Sequence, residues 1–121
     1  MISVRVAVDR RGRLRGVHAD GHAGLGRPGT DPACAAVTAI LRTVARLAAQ
    51  DGRFRVSGNA AAPGELQFSI RPALPLQFRR LRALADFVVQ GVGDVERDYP
   101  GAVQLETRRG GEGEISETRG E

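Results

Sequence analysis

This 121-residue chain has no tryptophan, no lysine, one tyrosine and a single cysteine. Each shortage excludes something. One cysteine, Cys34, excludes an intramolecular disulfide and a multi-cysteine zinc site. A lone free thiol suits a reducing compartment, so the expected location is the cytoplasm. Aromatic residues make up 4% of the chain and offer few platforms on which nucleic-acid bases could stack. The first residues, Met1-Ile2-Ser3-Val4-Arg5, lack the charged-then-apolar layout of a secretory signal. No apolar run reads as long enough to cross a bilayer, so no membrane association is expected. With no lysine, all 18 basic side chains are arginine, and the net charge is +4. That charge is compatible with a ribosome or another nucleic-acid assembly without demonstrating one. The length suits one compact domain.

The periodicity of what remains is informative. Ile2, Val4, Val6 and Val8 alternate with polar or small residues, as in a half-buried strand. Arg10 to Arg13 is a turn, and Leu14 to Asp20 returns as a second strand. Residues 21–30 hold four glycines and a proline and read as a loop. Asp31-Pro32 then marks a helix start: Asp caps free N–H groups, and proline is tolerated at the first helical position. From Ala33 to Ala49 the chain has helical period and is apolar nearly all round, which predicts a central, largely buried helix. Asp51-Gly52 ends it. Phe54 and Val56 mark a third strand, and Leu66, Phe68 and Ile70 a fourth. Pro72 and Pro75 are expected to open a second helix, with Leu81, Leu84, Ala85, Val88, Val92 and Val95 on its inner face. Tyr99-Pro100-Gly101 stops that helix, and Val103 and Leu105 suggest a last strand.

The predicted order is ββαββαβ: a single α+β domain with a mixed, mostly antiparallel sheet and two helices packed on it. The domain is expected to span residues 1–108. Residues 109–121, rich in glycine and glutamate without apolar period, are expected to form a disordered acidic tail.

The chemistry concentrates around Cys34. Gly21-His22-Ala23 is followed by a glycine loop and then Asp31-Pro32-Ala33-Cys34-Ala35-Ala36. A thiol attacks as thiolate, which the first turn of a helix favours through its N–H groups and dipole. An imidazole nearby can take the thiol proton and return it to a leaving amine, so His22 and Cys34 are the candidate catalytic pair. Backbone N–H groups around Cys34 are candidate oxyanion donors. Gly24, Gly26 and Gly29 leave room for a peptide or let the loop move as a lid. Asp31 is a candidate both for orienting His22 and for capping the helix, and N-cap preference favours the cap. The bland alternative keeps Cys34 as a small apolar core residue and His22 as a loop residue.

Other readings are weaker. A metal site of His18, His22 and Cys34 has three ligand types but no carboxylate, and the loop does not force the three together, so no metal and no cofactor are expected. The loop glycines lack the Lys-Ser/Thr ending of a phosphate-binding loop. Arg79, Arg80 and Arg82 read as a solvated helix face before they read as an RNA contact.

The segment resembles the signature of the Prp family of ribosomal-processing cysteine proteases: Gly-His-Ala/Ser, a glycine-containing loop, then Asp-x-x-Cys-Ala-Ala. Gly21-His22-Ala23 and Asp31 to Ala36 carry the resemblance, and the twelve-residue interval between His22 and Cys34 fits it. Pro32-Ala33 stands where the family usually has two aliphatic residues. The resemblance implies a His22–Cys34 dyad peptidase that removes a short N-terminal extension from a bacterial large-subunit ribosomal protein. It also implies a homodimer. The competing readings are a non-enzymatic ribosome- or RNA-associated module, with Cys34 as packing, and a thiol hydrolase acting on another amide.

Overall fold

A computed structural model describes residues 1–21, 31–59, 65–72 and 78–110. The elements follow the order ββαββαβ: β1 (Ile2–Val8), β2 (Leu14–Asp20), α1 (Pro32–Gln50), β3 (Phe54–Asn59), β4 (Glu65–Pro72), α2 (Phe78–Asp98) and β5 (Val103–Arg109). The strands form one sheet in the order β3-β4-β2-β1-β5. β1–β2, β2–β4 and β3–β4 are antiparallel, and β1–β5 is parallel. This is the α+β sheet that the alternating pattern predicts. The connections from β2 to β3 and from β4 to β5 run through helices, as returns to a parallel strand require.

Both helices lie on one face of the sheet. That face carries Val4, Val6, Val17, Phe68 and Ile70, all buried. α2 packs over β1, β2 and β5, while α1 lies against α2 and β3. α1 buries one stripe, Ala33, Val37, Leu41, Val44 and Ala48. Burying a leucine such as Leu41 stabilises the fold by about 1.5–3 kcal/mol. Ala35, Ala39, Leu47 and Ala49 are exposed. The expectation of a central, largely buried helix is therefore corrected. In a two-layer domain a helix has one face for the sheet and its neighbour, and the other meets solvent. A second correction concerns membranes. By length and composition alone, α1 is long and apolar enough to cross one. Its inner stripe instead packs on this domain's core, and Arg42 and Arg46 interrupt its outer face.

The start of the second helix also differs. Pro72 ends β4 instead of opening α2, which begins at Phe78; Pro75 lies outside the described residues. Pairing of β4 with β2 stops at Ser69, whereas pairing with β3 continues to Pro72 opposite Phe54. Pro72 thus sits where β2 no longer pairs with the strand, a position that tolerates a missing N–H.

Two aspartates fix the corners. In the β1–β2 turn, the Asp9 carboxylate accepts from the backbone N–H groups of Arg11 at 2.9 Å and Arg13 at 3.0 Å, and pairs with the Arg13 guanidinium. Burial works to raise its pKa, but these hydrogen bonds and the Arg13 charge outweigh it and hold the carboxyl below its usual range. At the end of α1, Asp51 takes Arg53 at 2.8 Å and Arg80 of α2 at 3.1 Å. The Arg53 side-chain and backbone hydrogen bonds hold its carboxyl far below the ordinary value. The backbone hydrogen bond from Gly110 to the Val8 carbonyl, 3.2 Å, continues the ordered chain past β5. Of the acidic tail expected over residues 109–121, Arg109 belongs to β5, and residues 111–121 lie outside the described residues.

Candidate active site

β2 ends with Asp20 opposite Ser3 of β1. Gly21 follows with φ +102°. A Cβ at Gly21 would lie 2.3 Å from the Met1 carbonyl oxygen. Glycine is therefore required immediately before His22, both for the backbone angle and for the close approach to the first residue. In the sequence Gly21 stands out only as part of the Gly21-His22-Ala23 motif, which does not reveal this role. The available signal was a glycine at the last residue before a loop. His22, Gly24, Gly26 and Gly29 lie outside the described residues, and so does any contact between His22 and Cys34.

Asp31 is extended (φ −76°, ψ 116°) and serves as the N-cap of α1. One carboxylate oxygen, Oδ1, accepts from the N–H of Ala33 at 3.0 Å and of Cys34 at 3.1 Å. The Asp31 carbonyl accepts from the N–H of Ala35 at 3.0 Å. Pro32, at the first helical position, has no N–H to satisfy and costs the helix nothing there. Asp31 is itself buried, so its carboxylate is a fixed part of the helix start. This arrangement corrects one expectation. The N–H groups of Ala33 and Cys34 are not open to an oxyanion, because Asp31 already occupies them.

Cys34, which forms no disulfide, lies in the first turn of α1, half-buried and packed against the core.

His18 belongs elsewhere. Its Nδ1 accepts from the Arg5 guanidinium at 3.1 Å, and its Nε2 lies 3.7 Å from a Glu65 carboxylate oxygen. Its register partners Arg5 and Gln67 place it on the sheet face turned away from α1. A cluster of His18 with Cys34 is thus ruled out by the sheet between them. No group of three or more His, Cys, Asp or Glu side chains converges as a metal site among the described residues.

The family model for the cysteine protease Prp matches residues 1–104. The chain belongs to the Prp cysteine protease family. It is accordingly a cysteine peptidase, and the matched Prp stretch includes Gly21, His22, Asp31 and Cys34. The Prp fold is seen directly in solved structures. The ribosomal processing protease Prp from S. aureus, with a covalently linked product peptide, superposes with a TM-score of 0.76 at 20% identity, covering 89% of this chain and 100% of that one. The same protease with a substrate peptide gives 0.69 at 22% identity, over 89% and 100%. SMU.848 from Streptococcus mutans gives 0.69 at 21% identity, over 90% and 95%. A search of curated protein sequences finds no match.

Proposed function

We propose that this peptidase is a ribosomal-processing endopeptidase that uses Cys34 as nucleophile and His22 as its base. The observation that carries the reading is the position of Cys34: the family's match covers it, and a capped helix holds its thiol in the first turn. His22 takes the thiol proton, and the sulfur adds to the scissile carbonyl to form a tetrahedral intermediate. The C–N bond breaks as His22 returns the proton to the leaving amine, leaving a thioester on Cys34. A water, deprotonated by His22, then attacks the thioester; the C–S bond breaks and the carboxylate product leaves. Because Asp31 occupies the N–H groups of Ala33 and Cys34, the oxyanion is held by donors other than these two.

The substrate proposed is the N-terminal extension of a bacterial large-subunit ribosomal protein, cleaved in the cytoplasm by a homodimer that associates with ribosomal material. Support comes from the family and from the ribosomal processing assigned by name to the S. aureus relatives. The test is incubation of the full chain with an extended precursor of such a protein and with the same protein lacking the extension. One cut in the precursor, absent with Cys34→Ala, supports the reading. A small amide turned over faster than any peptide would overturn it in favour of a different thiol hydrolase.

A further inference from the structure

The face of the sheet turned away from the helices carries a groove of about 390 Å3. Its floor is made by small residues, Ala7 of β1 and its register partner Gly16 of β2. Gly16 is required there, because a Cβ would stand 2.9 Å from the Phe68 carbonyl oxygen of β4. The groove is lined by Arg5, Arg15 and His18 on one side and by Ser57, Gln67 and Ser69 on the other. Among the described residues, no carboxylate is in the lining. The volume lies within the range of ligand sites.

Glu65 lies 3.7 Å from His18, but the arginines of this groove are not paired with carboxylates among the described residues. Among the described residues, neither Arg5 nor Arg15 has a carboxylate within 4 Å. Arg5 spends a hydrogen bond on the imidazole of His18, and its neighbour Glu106 on β5 pairs instead with Arg108 at 3.6 Å. Beyond the Ser57–Ser69 pair, the next residues on the same face are Arg55 and Arg71, directly opposite each other. Like charges in that relation weaken a strand pairing. The sheet thus keeps a repulsive pair at the edge of a cationic groove, where a bound anion would relieve it. The opposite end of the face is acidic, with Asp20 and Glu65 paired. The basic end runs across the strands from β1 to β3, and at about 4.8 Å per strand it is longer than one small anion.

We propose that this open sheet face binds the phosphate backbone of single-stranded nucleic acid, which crosses the strands over the Ala7–Gly16 floor and contacts Arg5, Arg15, Arg71 and Arg55. Hydroxyl and amide groups of Ser57, Ser69 and Gln67 supply further donors to phosphate oxygens. Phe68, the aromatic residue of the lining, is buried with the core, so no base stacks on it and the contact is indifferent to sequence. The surface is separate from Cys34, which lies in the helix layer, and it stands whether or not the proposed substrate is right.

The experiment is fluorescence anisotropy of a labelled ten-nucleotide oligouridylate with the full chain at several salt concentrations. Two double variants, Arg5→Gln with Arg15→Gln and Arg55→Gln with Arg71→Gln, are compared with Arg42→Gln and Arg46→Gln, which remove the same charge from the exposed side of α1. The expected result is a Kd weakened tenfold or more by each groove pair and less than twofold by the control. The slope of log K against log salt should fall by about 1.4 for two lost contacts, at roughly 0.7 per phosphate on a single strand. Ser69→Glu, which adds a repelling charge without removing an arginine, should weaken binding as much and guards against misfolded arginine variants. Equal losses in the control would reduce the effect to net charge and overturn the proposal. So would absence of binding at low salt, or competition by inorganic phosphate or uridine monophosphate as strong as by the oligomer. Dissociation of an oligomer by the groove variants would assign the face to contact between copies and likewise overturn it.

Discussion

The Asp31 carboxylate accepts the backbone N–H of Cys34 at 3.1 Å, so the candidate nucleophile and the helix cap are one structural unit. The same oxygen takes the N–H of Ala33. The cap orders the turn that presents the thiol, and it also uses the donors that such a turn would otherwise offer to an oxyanion. Substitutions at the two positions should therefore have different signatures.

Cys34→Ala should lower kcat/KM on a cleavable peptide by roughly 10³-fold or more, as loss of a nucleophile does. Stability should change by about 1 kcal/mol or less, because the half-buried side chain is small and alanine fits the same helix. Peptide cleavage and thermal unfolding of the same preparation measure both. Retained cleavage would remove Cys34 from the mechanism.

Asp31→Ala should cost about 0.5–2 kcal/mol, the usual loss for an N-cap. Asp31→Asn keeps an acceptor for the N–H groups of Ala33 and Cys34 and should stay within a few tenths of the parent, since Asn and Asp are near-equal caps. Denaturant unfolding of the two variants separates the cap from the charge. If Asn destabilises as much as Ala, the carboxylate's charge matters more than its hydrogen bonds.

Gly21→Ala should destabilise the chain by more than about 1 kcal/mol, the penalty for a side chain at a positive φ being raised here by the Met1 carbonyl. Because Gly21 directly precedes His22, cleavage should fall together with stability. A variant with unchanged unfolding and full activity would contradict the close approach.

Acid should weaken the fold below about pH 4. Asp9 and Asp51 both have carboxyls lowered in the folded state, by hydrogen bonds from Arg13 and Arg11 in the first case and from Arg53 in the second. For such groups the unfolded chain binds more protons, so their contribution is complete above the unfolded value and is lost as pH falls through the folded one. Thermal unfolding from pH 7 to pH 3 should show Tm falling at the acid end. Asp9→Asn should flatten part of that fall, and an unchanged profile would show that Asp9 does not contribute.

The elements most legible in the sequence were those in which local pattern and final packing agree. Ile2, Val4, Val6 and Val8 alternate because one face of β1 meets the helices, and the structure buries all four. Asp31-Pro32 announced the start of α1 because capping is a local event among adjacent residues. Pro72 misled, because proline fits both a helix start and a strand end. The choice depends on how far β2 reaches along β4, which no local pattern records. α1 misled for a similar reason: alanine is apolar enough to look buried and small enough to stand in water at little cost.

By itself, the amino-acid sequence determined the order of strands and helices, the capped turn around Cys34 and the family signature, since each arises between residues close along the chain. Tertiary structure alone decided which sheet face the helices cover. That choice put His18 on the side away from Cys34, gathered Arg5, Arg15, Arg55 and Arg71 on the open face, and set Gly21 against the Met1 carbonyl. These relations join residues far apart in sequence through strand register and packing, and side-chain pattern along one segment carries no record of them.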